Sequence, residues 1–255
     1  MGAVLLGTQG WEHASWVGSF YPRGVPCSEM LAFYAAEFGT VEAGGSFYCT
    51  PAAATLSQWR RSVPEEFLFS LKVPHHVTHC RRLEDSAQFM EDFCRRVSGL
   101  GAGLGALLVQ LSPDFHPGEF NRARFAEFVA ALPPGFRWAF EFRHRGWLES
   151  GTLSLLERYG AALVLADSRW VSRPRVLDLA LAPTADFAYV RWTLGAREDG
   201  RGHSFHLWAR VLEALSAKVN LVLGYFADGY KGSAVAAVRE MESMLGIDRP
   251  GMVGR

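Results

Sequence analysis

Eight short apolar runs recur along the chain, each followed by a longer segment with helical periodicity. The runs are AVLLGT (3–8), TVEAGG (40–45), FLFSLKV (67–73), ALLVQLS (106–112), WAFEFR (138–143), ALVLAD (162–167), AYVRW (188–192) and NLVLGYF (220–226). They are nearly continuous in apolar residues rather than alternating, which is how strands covered on both faces read. Between them lie amphipathic segments. CSEMLAFYAAEF follows Pro26 and offers Ser28 as a cap. LEDSAQFMEDFCRRVSGLG runs from acidic to basic and ends on glycine. NRARFAEFVAALPPG stops at a Pro-Pro-Gly breaker. LESGTLSLLERYG, SFHLWARVLEALSA and KGSAVAAVREMESMLG complete the set, TLSQWRRSV supplies a short helix between runs two and three, and SRWVSRPRVLDLALAPTADF reads as irregular. Eight such units in 255 residues is the arithmetic of an α/β chain folded as a single-domain (β/α)8 TIM-like barrel over residues 1–255. An open doubly wound sheet is the second reading. However, GTQGWE after the first run is not a G-x-G-x-x-G loop, and no G-x-x-x-x-G-K-[ST] occurs, so nothing calls for a nucleotide cofactor.

In a barrel the chemistry gathers at the C-terminal ends of the strands. Taken in turn, those ends carry Thr8, Gln9 and Trp11, then Glu42, Lys72, Gln110, then Glu141, Arg143 and His144, then Asp167, Arg191, Tyr225 and Asp228. The opposite ends carry mostly alanine, valine and leucine. Glu141 and Arg143 are two residues apart, so both side chains leave the strand on the same face. Facing the lumen, a carboxylate there needs a partner or water, and Lys72, Arg143 and Arg191 are the cations at hand. The group reads either as an ion-pair network closing the barrel top or as a polar pocket with an acid/base carboxylate and an anion clamp.

Other features carry less. His75, His76 and His79 in KVPHHVTH have no H-E-x-x-H or comparable pattern around them, so no metal ligands are assigned. His79 reads as a hydrogen-bonding group of the pocket. Trp11, Trp16, Phe20 and Tyr21 share one glycine-rich loop, read first as an apolar cluster folded onto the barrel top and second as an aromatic wall for stacking. No G-x-S-x-G elbow occurs, and spacing pairs none of the four cysteines with a histidine. With 26 basic and 26 acidic residues the chain has no global field for polyanions, so a nucleic-acid role would need a local patch. Four cysteines without C-x-x-C spacing, no apolar run of membrane-spanning length, and a start too short for a signal h-region lead to the expectation of a cytoplasmic protein with no membrane partner.

Several stretches together resemble domain-of-unknown-function family 72, the YecE-like proteins. They are GTQGWEHASWVGSFYP, VEAGGSFYCTP, FLFSLKVPHHVTH, LGALLVQLSPDF, FEFRHRGW and YFADGYKGSAVAAV, in that order from near residue 7 to near residue 240. The resemblance implies a TIM-like barrel and no settled activity. It maps onto Trp11, Glu42, Phe47, Tyr48, Lys72, His79, Gln110, Glu141, Arg143, His144, Trp147 and Arg191. Three places depart from the family's pattern: Gly44 stands where it has asparagine, Ala227-Asp228 where it has two asparagines, and RWTLGARED lacks the histidine-glycine expected after the arginine.

Two functions of different class follow. The first is a metal-independent hydrolase or lyase acting on a small phosphorylated or otherwise anionic substrate. Glu141 is its acid/base, Lys72, Arg143 and Arg191 its anion clamp, and Glu42 and His79 orient the substrate. Gln110, His144, Asp167 and Tyr225 complete the pocket. The second is a non-catalytic protein binding a nucleotide or single-stranded nucleic acid, with Trp11 and Tyr48 stacking bases. A metal-dependent nuclease ranks third, since the ligand set it needs is not evident from spacing.

Overall fold

The computed structural model describes residues 1–193, 201–228 and 233–247. Strands and helices alternate: β1 (Ala3–Thr8), α1 (Cys27–Glu37), β2 (Thr40–Ala43), α2 (Ala53–Arg61), β3 (Leu68–Lys72), α3 (Ala87–Val97), β4 (Leu104–Gln110), α4 (Glu119–Ala130), β5 (Trp138–Glu141), α5 (Ser150–Arg158), β6 (Ala162–Asp167), α6 (Arg173–Leu179), β7 (Phe187–Thr193), α7 (Arg201–Ser216), β8 (Leu221–Ala227) and α8 (Ser233–Met244). Every strand is parallel to its neighbours in the order β1-β8-β7-β6-β5-β4-β3-β2, a nearly closed barrel. Among the described residues no helix is long and apolar enough to cross a membrane.

Two local expectations need correcting. The segment between β6 and β7 is not irregular: Pro174 opens α6, where its missing N–H costs nothing. The two flanking arginines and the shortness of the helix hid its apolar period. In α1 the cap position is Pro26, with Cys27 already helical, so Ser28 sits inside the first turn and does not cap.

Alternation divides each strand between two cores. Leu6, Val41, Leu107, Phe140, Leu165, Val190 and Val222 face outward and pack beneath the helices. Leu108, Ala139, Ala162, Val164, Phe187, Tyr189, Leu223 and Tyr225 belong to a second, smaller cluster that fills the lumen. Alanines on β4, β5 and β6 make room there for the large rings of β7 and β8. Higher in the lumen hydroxyls appear: the Tyr225 hydroxyl lies 2.7 Å from Thr40 Oγ1 and 2.8 Å from Ser70 Oγ, all fully buried.

The barrel closes differently between β1 and β2 than elsewhere. There is no ladder of the kind that joins the other neighbours. One bridge pairs Gln9 with Glu42, and Gly10 N–H donates to the Glu42 carbonyl at 2.8 Å. Below it the Tyr34 hydroxyl of α1 takes the place of a rung, accepting from Thr8 N–H at 2.9 Å and donating to the Thr40 carbonyl at 3.1 Å. Gly7 makes the close approach possible, since a Cβ there would fall 2.1 Å from the Thr40 carbonyl oxygen. Tyr34→Phe removes the bridging hydroxyl and leaves a buried donor and a buried acceptor unpaired at about 1–3 kcal/mol each. Denaturant unfolding of this variant is expected to show a lower midpoint with an unchanged m-value; an unchanged midpoint would mean the seam does not need the tyrosine.

Candidate functional site

The polar layer above the lumen is built by residues of one strand parity. Gln9, Glu42, Lys72, Gln110, Glu141 and Arg191 all continue the inward face of their strands, and Arg143 follows two residues beyond the end of β5. At their centre is Arg191, 6% exposed. Its Nε donates to Glu42 Oε2 at 2.9 Å and its Nη2 to Glu42 Oε1 at 3.0 Å, a two-point grip on one carboxylate. Nη1 donates to Glu141 Oε2, and Nη2 also reaches Gln9 Oε1 at 2.7 Å. Glu42, fully buried, further accepts from the Tyr189 hydroxyl at 2.8 Å and faces Lys72 Nζ at 3.6 Å. Glu141 accepts from Gln110 Nε2 at 2.9 Å on one oxygen and from Arg143 Nε at 3.2 Å on the other.

The proton affinities follow from these contacts. Burial pushes the Glu141 carboxyl up, but the charges of Arg191 and Arg143, the Gln110 hydrogen bond and Lys72 together overcome it and hold the group at about 2. Glu141 is therefore ionised at neutral pH, with no proton to give and little appetite for one. Burial works against charge on Arg191, and Glu141 and Glu42 more than offset it. Lys72 goes the other way: burial lowers its ammonium, Arg191 and Arg143 lower it further, and Glu42 and Glu141 only partly compensate. His79 is also lowered, first by burial and then by Arg143, so its imidazole is neutral at pH 7.

The account of donors and acceptors is unbalanced. All four carboxylate oxygens of Glu42 and Glu141 face cationic or hydrogen-bonding groups. Donors are left over among the described residues. Arg143 uses only its Nε, leaving both terminal amino groups, and Lys72 Nζ has no hydrogen bond, only the ion pair to Glu42. Gln9 Nε2 is buried with no partner. His79 engages Thr78 through Nδ1 at 2.8 Å, with its other ring nitrogen unused. Three basic side chains face two carboxylates here, and the donors left over lie on Arg143, Lys72 and Gln9.

The family model described as "Protein of unknown function DUF72" matches residues 5–254. The chain belongs to the DUF72 family. A curated relative, the UPF0759 protein YecE of Escherichia coli strain K12, is 28% identical over 177 residues, which span 68% of this chain and 62% of that protein. A DUF72 family protein of Thermotoga maritima, 26% identical, superposes with a TM-score of 0.81 over 95% of this chain and 99% of its own. One from Enterococcus faecalis, at 16% identity and a TM-score of 0.78 over 99% of both chains, shares the fold.

The barrel thus brings together six of the residues picked out in the sequence, namely Glu42, Lys72, Gln110, Glu141, Arg143 and Arg191, with His79 alongside in a short helical turn, His76–Cys80, after β3. It separates others. Asp167 has the outward parity of β6 and accepts from Arg173 Nε and Trp208 Nε1, each at 2.8 Å, under the helices and not in the mouth. Trp11 is 5% exposed and packs edge-on against Trp59 at 5.0 Å, so its ring is core and offers no stacking face. Trp16, fully buried, donates to Asp228 Oδ2 at 2.8 Å and ties the same loop to the end of β8. Tyr225 lies a layer below the ions, its hydroxyl spent on Thr40 and Ser70. His144 caps a short turn, its Nδ1 accepting from Gly146 N–H at 3.2 Å. Tyr48 is 77% exposed at the rim. Tyr189 was missed, although its position two before Arg191 on one strand could have revealed it. Of the departures from the family pattern, Gly44 opens a 3-10 turn where a Cβ would meet nothing within 4 Å, so this position has room for a side chain. Residues 194–199 and Gly229 lie outside the described residues.

Two outcomes follow from the ion network. Arg191→Met strands two buried carboxylates and is expected to cost about 3–5 kcal/mol in chemical denaturation; a loss below 1 kcal/mol would show that the carboxylates find other partners. The Glu141 carboxyl sits below its ordinary value of 4.5, so its contribution to stability is complete above pH 4.5 and is lost as pH falls from there toward 2. Over that window wild type is expected to lose more stability than Glu141→Gln, and parallel pH profiles would refute the depressed value.

Proposed function

We infer that the barrel mouth binds a small phosphorylated or carboxylate-bearing molecule and acts on it without a metal ion, as a hydrolase or lyase. The observation that carries this reading is the surplus of unengaged donors, on Arg143, Lys72 and Gln9, over carboxylate oxygens that are already occupied. A metal would have to compete for those same oxygens with two arginines, and among the described residues no group of three or more histidine, cysteine or acidic side chains is placed to hold one. In this reading Glu42, Glu141 and Arg191 form a fixed frame. Glu141 is a counter-ion that aims Arg143 and not the acid/base its strand-end position first suggested. Arg143 supplies the open fork for the anion, and proton transfer falls to Lys72, whose lowered affinity brings it nearer to neutrality, and to the uncharged imidazole of His79.

A second reading, a non-catalytic nucleotide or single-stranded nucleic-acid binder, draws its support from the exposed Tyr48 ring, 6.3 Å from the His75 ring. A thermal-shift series separates the two. A small anion at a hundred times its Kd adds about 2.7 kcal/mol, which for a domain of this size raises Tm by about 5 °C or more. The expected result is such a shift with phosphate esters or short carboxylates, persisting at high salt and weakened at least tenfold in affinity by Arg143→Ala. A shift with oligonucleotides alone, erased by salt, would overturn the enzyme reading in favour of the binder.

A further inference from the structure

The charges of the mouth single out Lys72. Arg191 and Arg143 are matched by Glu42 and Glu141, each arginine within hydrogen-bonding distance of a carboxylate oxygen. Lys72 is the fifth charge, and its nearest acid is 3.6 Å away, beyond a hydrogen bond. Deprotonated, it leaves a balanced set of two cations and two anions; protonated, it leaves the mouth with one uncompensated positive charge. Its side chain is 15% exposed, and Nζ lies 5.7 Å from the centre of the Phe47 ring, so the amine is largely shielded from water without being sealed off. The lowered affinity of this ammonium for its proton agrees with that count.

We propose that the substrate of this site is a small aldehyde or ketone carrying a carboxylate or phosphate, and that Lys72 Nζ captures it as an imine. The proposal rests on the anion-binding reading above and names the rest of the molecule. The Nζ lone pair adds to the carbonyl carbon, the C=O π electrons pass to oxygen, and a proton moves from nitrogen to that oxygen to give a carbinolamine. Protonation of its hydroxyl releases water as the C=N bond forms, so ammonium plus carbonyl gives iminium plus water. His79, neutral and bonded to Thr78 through one ring nitrogen, has the other to relay the proton. The electrostatics suit this order: burial and the two arginines favour the free amine of Lys72 in the empty mouth, and the iminium charge appears when the substrate's own anion, held by Arg143, is there to offset it.

The chain has three lysines, Lys72, Lys218 and Lys231, so a trapped adduct is easily located. Full-length protein is incubated separately with glyoxylate, pyruvate, glyceraldehyde 3-phosphate and dihydroxyacetone phosphate in the presence of cyanoborohydride, then read by intact mass and peptide mapping. The expected result is an adduct on Lys72 at least tenfold above that on Lys218 and Lys231 in one arm, which also tells carboxylate from phosphate. It is abolished in Lys72→Arg, slowed about tenfold or more in His79→Gln, and suppressed by excess lactate or glycerol phosphate, which bear the anion without the carbonyl. Circular dichroism confirms that both variants fold. If lactate or glycerol phosphate shifts Tm in an Arg143-dependent way while no arm labels Lys72 above the other lysines, the imine is refuted and the anion site stands. If neither a thermal shift nor labelling is seen, both readings fall together.

Discussion

Arg191 is the point on which the mouth of this barrel depends. Two carboxylates that the fold buries almost completely, Glu42 and Glu141, come from strands on different parts of the barrel wall and share a single guanidinium. Removing it would take a cation from each of them at once, and a buried carboxylate that loses its cation keeps the cost of leaving water. The planar fork of arginine fits this position, since one cation must serve two carboxylates and the Gln9 amide in different directions. Once Arg191 is committed, the remaining cations are released for other work. Arg143 is aimed by Glu141 through one nitrogen only, and Lys72 is left facing Glu42 at a distance.

The same layer closes the barrel. Glu42 takes part in the network through its carboxylate and in the seam between β1 and β2 through its carbonyl, which accepts from Gly10 N–H. Gln9, its bridge partner across that seam, receives Arg191 on its side-chain oxygen. With the Tyr34 hydroxyl standing in for a rung just below, the weakest joint of the wall lies directly beneath the densest charge. The residues that frame the mouth therefore also fasten the seam.

Much of this was legible in the chain before any strand was placed. The nearly continuous character of the apolar runs points to parallel strands covered on both faces, and their count of eight favours a barrel over an open doubly wound sheet. Glu42, Lys72, Gln110, Glu141, Arg143 and Arg191 could be picked out because the C-terminal ends of barrel strands are where charged and amide groups gather. The short helix α6 was hidden, since seven residues with a proline at the start give too little period to register.

What the sequence could not decide was which parity faces inward and what each side chain would find there. Asp167 ends a strand just as Glu141 does, yet it turns outward to Arg173 and Trp208, because pairing with β7 places Ala166 beside Arg191 on the inner face. Trp11 sits next to the rim in sequence, but the T-shaped contact with Trp59 draws it into the outer core. The sequence by itself determined the number of strands, the class of fold and the cast of charges. Only the tertiary structure decided their pairing, because the contacts that assemble the network, Arg191 with Glu42 and Tyr189 with Glu42, join residues nearly 150 positions apart. Whether a lysine has a full counter-ion or half of one is a matter of ångströms, which spacing along a chain does not encode.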